Sequence, residues 1–566
     1  MLDEKARAVS GWSWLLAVIF LVSAVLETGH RYSSATYNGE LLNREYKTSP
    51  VSGDEVLEYG FKARHDSLKG LWVFIDVPTA TSVEEGRLMV SIRRETEAKP
   101  FCIQSLPCRA NDARGGISLL LRFPDGTRLK EGGRYVMQYS MPEMKPGTVW
   151  RLHCLITEDP GVWLKQGGKV QIGTEPEMLW LACSPHRPWW HLGASIVLAS
   201  LWWWRGSRGT RVAGPMLITL ASGCMVAAAY RWQTDLWQFW GCYWPDGYPA
   251  LSKTLYHFFS GAISFRDALT YFQQFRCGQA FGVPLIMASF QCAGLTVKVS
   301  YLACNCVCFV VLIALYAGFL RMHGIREEKP VMLAWLMFFG SRCLVLAVGE
   351  MDTDIAGLMA TLLFAYLFLR GFAAEENARI AWYSACGVAA MVASVIRPAL
   401  MGLLPVSACL FLWSLFCERE KPLRERAAYL IPTIVGVSLL FLCWSDLGLW
   451  GSFNKQFENS RSPEPLSWKC FLITTLKGMN YTLVVIALEW RRRLFKERSF
   501  AMVAGSLAGL VGLLVFVHPG PSLRYTAPPS MLGVVLCLWA VKEWPQRERL
   551  LTAFAWVGLL YGFVAV

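Results

Sequence analysis

The sequence predicts a polytopic α-helical membrane protein of about 13 transmembrane helices, with an extracytoplasmic antiparallel β-sandwich inserted between the first and second helices. Three observations predict it. The chain is 54% hydrophobic and only 17% charged, with a mean hydropathy of +0.34, where a soluble chain carries about a quarter charged residues. Apolar runs of about 18 or more residues recur along most of its length. Between residues 31 and 185 those runs give way to a polar stretch of short alternating segments.

The first 30 residues carry Asp3, Glu4, Lys5 and Arg7 and then run apolar from Trp12 to Leu26. Glu27-Thr-Gly-His30 follows in place of a small-residue cleavage site, so residues 1–30 read as a cytoplasmic N-terminus and a retained first helix. Residues 31–185 contain β-rich runs at 70–76, 87–93, 117–122, 134–139, 149–155 and 169–172, with turn signals at Pro124-Asp-Gly126 and Glu131-Gly-Gly133. Of the 18 cysteines, Cys102, Cys108, Cys154 and Cys183 fall here. In an oxidising compartment Cys102–Cys108 and Cys154–Cys183 are the expected disulfides, with Cys242–Cys277 a third candidate. Cys304, Cys306 and Cys308 splay around a helix axis, which suits packing and not a metal site.

Residues 186–566 form the expected transmembrane core, with spans near 187–204, 211–230, 299–320, 331–349, 354–370, 380–397, 399–416, 427–445, 470–490, 499–517, 525–541 and 550–566. The net charge of +13 has a simple source. Arg205/Arg208/Arg211, Arg321/Arg326/Lys329, Arg370/Arg379, Arg419/Lys421/Arg424/Arg426, Arg491–Arg493/Lys496/Arg498 and Lys542/Arg547/Arg549 fall in alternate short loops. Those loops are cytoplasmic by the positive-inside rule, and the β-domain then faces outward. No nucleic-acid-binding motif competes with that account. The outer loop 231–298 is rich in aromatics, among them Trp232, Trp237, Trp240 and Trp244, and reads as interfacial amphipathic helices or as an aromatic belt without chemistry.

Charges at the membrane edge are expensive and usually mark a site. On the expected outer side stand Asp235 and Asp246 in the outer loop, and Glu350, Asp352 and Asp354 between two spans. Arg397 and the segment His518…Arg524-Tyr525 close other spans on that side. A carboxylate orients or deprotonates a hydroxyl, and arginine forks stabilise phosphate charge, so the set suits chemistry on a lipid-linked, phosphate-bearing substrate. Bland roles compete. Arg342 and Glu350 lie two helical turns apart and fit a buried pair. Asp352 and Asp354 suit helix capping, and His518 an interfacial surface position.

The order of these features resembles a known family. An Asp-bearing outer loop is followed by the turn His323-Gly-Ile-Arg326, then Gly349-Glu-Met-Asp-Thr-Asp354, the span from Ile355 to Arg370, Val395-Ile-Arg-Pro-Ala-Leu400 and His518-Pro-Gly-Pro-Ser-Leu-Arg-Tyr-Thr-Ala-Pro528. Over about residues 210–545 this resembles the GT-C superfamily of polytopic glycosyltransferases, which includes protein mannosyltransferase-like and lipid-A aminoarabinose transferase-like enzymes. The resemblance implies transfer of a sugar from a polyprenyl-phosphate donor at the outer face, to a glycan, lipid or protein acceptor. By position, Asp235 matches the loop acid, with Asp246 the alternative. Glu350, Asp352 and Asp354 match the second acidic element, and Arg397 and Arg524 the cationic positions, with Arg342, His518 and Tyr525 beside them as phosphate-binding candidates. No cofactor is fixed; a divalent cation is a candidate. The implied partners are the lipid-linked donor, membrane lipids and the acceptor, with no nucleic acid. The first loop departs from the family in lacking an adjacent acidic pair, and a first helix and β-domain precede the core. The run Leu57 to Arg93, with Asp66–Asp76 inside it, is similar to lectin-type sandwiches found in some bacterial membrane proteins of this kind. Two other classes are a lipid-linked glycan transporter or flippase, for which no inverted repeat is visible, and a non-catalytic envelope scaffold that binds glycan.

Overall fold

The computed structural model describes residues 2–37, 46–52, 55–63, 66–76, 85–109, 117–123, 127–143, 149–156, 161–176, 178–181, 188–234, 248–274, 282–341, 344, 348, 354–446, 469, 472–473, 475–476, 498–516, 526–543 and 548–564. The chain divides into two compact units. One comprises Met1–Val25, Pro188–Ala228 and Gly241–Val566, the other Leu26–Arg187 with Ala229–Trp240.

The second unit holds two antiparallel sheets. The strands are β1 (Ala35–Tyr37), β2 (Tyr46–Ser52), β3 (Leu57–Lys62), β4 (Gly70–Asp76), β5 (Glu85–Arg94), β6 (Cys102–Arg109), β7 (Ile117–Arg122), β8 (Arg134–Ser140), β9 (Val149–Ile156), β10 (Trp163–Gln166), β11 (Lys169–Ile172), β12 (Thr174–Pro176) and β13 (Met178–Leu181). One sheet runs β1-β13-β4-β9-β12, with β2 also on β9 and β7 on β4; the other runs β11-β10-β3-β8-β5-β6. Alternation sets the buried face. Leu71, Val73 and Ile75 point inward from β4, Leu88, Val90 and Ile92 from β5, and they share one core with Tyr59, Met137, Tyr139, Trp150 and Leu152. The outer face of β3–β8–β5 is polar. Glu58 accepts a hydrogen bond from Gln138 at 2.9 Å and pairs with Lys165 at 3.4 Å and Arg93 at 3.5 Å. Burial raises the Glu58 carboxyl, but the Gln138 and Lys165 bonds outweigh it and hold the group below the ordinary carboxylate range.

The expected Cys102–Cys108 disulfide is overturned. Both residues belong to β6, and an extended strand rises about 3.3 Å per residue, which puts them roughly 20 Å apart, far beyond the reach of an S–S bond. Cys102 and Cys154 are buried thiols; the Cys154 thiol donates to the Leu152 carbonyl at 3.4 Å. Cys183, Cys242 and Cys277 lie outside the described residues.

The first unit is helical. Its elements are α1 (Leu2–Ser34, which runs on into the second unit), α2 (Trp189–Gly206), α3 (Ala213–Thr234), α4 (Tyr248–Phe259), α5 (Phe265–Gln274), α6 (Gly282–Cys292), α7 (Val297–Met322), α8 (Glu328–Phe339), α9 (Asp354–Ala373), α10 (Glu376–Ile396), a 3-10 turn (Pro398–Leu403), α11 (Leu404–Cys417), α12 (Leu423–Ala427), α13 (Ile431–Asp446), α14 (Arg498–Phe516), α15 (Ala527–Glu543) and α16 (Glu548–Val564). Seven candidate spans are long and apolar enough to cross a bilayer, within α1, α3, α7, α9, α10, α11 with its lead-in, and the α12–α13 run. The chain is therefore an integral membrane protein. Among the described residues this is fewer than the sequence predicts. The helix expected over 331–349 ends at Phe339 because Gly340 and Ser341 break it, and the 470–490 span lies almost wholly outside the described residues. The described part of the 231–298 loop holds α4, α5 and α6 between the end of α3 and the start of α7. Ser264 and Asp267 cap α5 reciprocally: the Asp267 N–H donates to the Ser264 hydroxyl, and the Asp267 carboxylate accepts from the Ser264 N–H.

Candidate functional site

Arg397 stands at a corner made by its neighbour. Pro398 cannot continue a helix, and it drives the residue before it into extended backbone. Arg397 accordingly has φ −154° and ψ 120°, at the end of α10 and the start of the 3-10 turn. Its N–H donates to the Ala393 carbonyl at 2.8 Å, and its carbonyl accepts from the Leu400 N–H at 2.9 Å, so the corner is fixed on both sides. The side chain is half-buried.

Close backbone approaches bring other elements to this corner. A Cβ on Gly357, one turn into α9, would lie 3.2 Å from Leu400 Cδ1. A Cβ on Gly282, the first residue of α6, would lie 3.2 Å from the Ile396 Cα. Gly402 and Gly509 touch backbone to backbone, and a Cβ on Gly505 would lie 3.0 Å from the Val406 Cα. These contacts run α11 antiparallel to α14, so the end of α14 at Phe516 lies toward the Arg397 corner. The start of α9, the start of α6 and the end of α14 thus meet where Arg397 turns.

Among the sequence candidates, Asp354 is the first residue of α9, where the helix dipole favours an acid. Its side chain lies outside the described residues, as do Asp235, Asp246, Arg342, Glu350, Asp352, His518, Arg524 and Tyr525. Among the described residues no cluster of three His, Cys, Asp or Glu offers a metal site. Cys304 and Cys308, one helical turn apart, are buried together and hydrogen-bonded thiol to thiol, so only Cys306, which is exposed, splays away as expected.

The opposite ends of these helices carry a charged network that sequence reasoning did not single out. Glu418, just past α11, accepts from Arg498 at 2.6 Å and 3.0 Å through one oxygen. Its other oxygen accepts from Tyr429 at 2.5 Å and Lys421 at 3.1 Å. Burial raises this carboxyl, but the Tyr429 and Arg498 bonds outweigh it and hold it below the ordinary range. Arg379 pairs with Glu425 at 3.2 Å, Arg424 with Glu376 at 3.3 Å, and Arg498 lies 4.2 Å from the Phe372 ring centroid. Three of the basic loops expected to share one side are thereby tied together. The available signal was an acid, Glu418, placed among basic residues at a span end.

The unit is thus a bundle of apolar helices with a charge-tied end and a glycine-packed end, which defines an integral membrane protein with an arginine corner. No family model and no curated protein matches the chain. It is similar to the solved structure of arabinosyltransferase EmbB from Mycobacterium smegmatis at 11% sequence identity and a TM-score of 0.35, over 94% of this chain and 54% of that one. The chain spans about half the length of that structure. A likeness of that degree carries no argument about activity.

Proposed function

We propose that the protein transfers a sugar from a polyprenyl-phosphate donor to a glycan, lipid or protein acceptor at the outer face of the membrane. The observation that carries this reading is the Arg397 corner. Arg397, on a corner whose backbone is fixed, stands where α9 begins with an acid, where the outer-loop helix α6 starts, and near the end of α14, which in sequence precedes His518…Arg524-Tyr525. Arg397 and Arg524 hold the donor phosphate, with Arg342, His518 and Tyr525 in support. Asp235 is the carboxylate at the acceptor hydroxyl, with Asp246 its alternative and Glu350, Asp352 and Asp354 the second acidic element. The basic end then faces the cytoplasm, and the β-unit lies outside, where it is free to engage acceptor glycan.

Incubating purified full-length protein with a polyprenyl-phosphate sugar tests the reading. Product formed by the native chain and lost in Asp235→Asn supports it. Translocation of the donor without chemistry points to a transporter instead, and neither outcome to a scaffold.

A further inference from the structure

A cavity of about 420 Å³ opens where α7 ends, α8 and α16 begin and α15 finishes. Leu333, Val541 and Leu551 form a buried apolar floor. Arg326, Lys329 and Lys542 stand around it together with Glu327 and Glu548. Lys329 is paired with Glu548 at 2.5 Å. Arg326 and Lys542 are exposed, and neither pairs with a carboxylate among the described residues. Three cations against two carboxylates leave one positive charge on the lining. The N-termini of α8 and α16 add their partial positive charges at the same place.

His323 lies within electrostatic reach of Lys542 and donates its Nδ1–H to the Phe319 carbonyl, 3.0 Å away. Burial, with Lys542 assisting, holds its imidazole below the ordinary range, so it is neutral at pH 7 and adds no charge. The local excess therefore resides on Arg326 and Lys542.

Position decides what kind of anion fits. The apolar span Val299–Met322 ends just before the cavity, and the apolar helix Pro528–Trp539 ends three residues before Lys542. A cationic rim over an apolar floor, at the level where spans end, matches an amphiphile and not a freely soluble anion. Basic pockets between helices at a membrane surface are a recognised setting for anionic headgroups. The geometry points to a binding site for the phosphate of an anionic phospholipid, with Arg326 and Lys542 on the phosphate and Leu333, Val541 and Leu551 against the first methylenes of its tails. This site is independent of the transferase reading, since it lies at the basic end of the helices.

The test uses the full chain purified in detergent and offered phosphatidylglycerol, phosphatidylcholine or inorganic phosphate, with bound lipid counted by native mass spectrometry. Phosphatidylglycerol should be retained preferentially. Arg326→Gln should weaken retention roughly fivefold and the pair Arg326→Gln/Lys542→Gln about twentyfold. Arg424→Gln, an exposed cation of another loop, should leave retention unchanged. The charge-preserving pair Arg326→Lys/Lys542→Arg should bind as the native chain does, which separates a charge effect from misfolding. Equal retention of the two lipids, native retention in the glutamine pair, loss in the charge-preserving pair, or displacement by millimolar inorganic phosphate would each overturn the proposal.

Discussion

The two ends of the α9–α11 and α14 helices are held by different means. At one, Glu418 gathers Arg498, Lys421 and Tyr429 within 3.1 Å, and Arg379–Glu425 and Arg424–Glu376 join the same loops. At the other, Gly402 meets Gly509, Gly282 meets Ile396 and Gly357 meets Leu400, without charge. In the Glu418 network the acids and bases use their hydrogen bonds on one another and act as a clasp. At the Arg397 corner the close approaches are made by glycines and apolar side chains.

The comparison breaks most sharply on Arg397→Ala. Sugar transfer should fall by about 10²–10³-fold, the scale of losing one positioned donor to developing charge, while the thermal midpoint in detergent stays within about 2 °C of native. A large drop in midpoint with activity retained per folded molecule would make Arg397 structural and erase the contrast. Glu418→Gln should do the reverse. It leaves Arg498 and Lys421 without their carboxylate and should cost about 2–3 kcal/mol, less than a fully buried pair because both cations are about a third exposed. Denaturation in mixed micelles measures it, and activity per folded molecule should be unchanged.

Gly509→Ala should cost about 1–3 kcal/mol, since its Cβ would run into the Gly402 carbonyl oxygen, a backbone atom that cannot swing aside. A neutral result would show that the helices part easily. Sidedness sharpens the contrast without any energy. With the exposed native cysteines replaced, a cysteine at Arg424 should label only from the cytoplasm, and one at Ser260, in the α4–α5 turn, only from outside. The smallest effect belongs to the β-unit. The depressed Glu58 carboxyl contributes stability that is present above its ordinary value of 4.5 and is lost as pH falls through its lower folded value. Glu58→Gln should flatten that part of the pH–midpoint curve by less than about 1 kcal/mol, the range of partly exposed pairs.

Helix positions were legible because a bilayer demands long apolar runs, and the expected centres coincide with α2, α3, α7, α9, α10 and α13. Lengths were less so: hydropathy runs through Gly340 and Ser341, which the backbone does not. Strands with clean alternation, such as β4, β5 and β8, were readable. β6 was not, because Cys102–Arg109 contains Pro107 and lacks a regular apolar–polar alternation. The Glu418 clasp was hidden for a different reason, since its main partner, Arg498, lies 80 residues away in the chain. Of the candidate site, Arg397 follows the last residue of α10, where a span end was expected, and Asp354 is the first residue of α9, where a span start was expected.

The glycine contacts that the 3-10 turn and α11 together make with α14 have a mechanical consequence. Helices separated by side chains can shear past one another by repacking rotamers. Gly402 and Gly509 leave no side chain between the backbones, and Gly505 against Val406 repeats the fit one turn away. Sliding either helix along the other would drive peptide groups into contact, so α11 and α14 behave as a single rigid rod. Any widening of the Arg397 corner to admit a lipid-borne group must then come from hinging of α9, α10 or α6 about that rod.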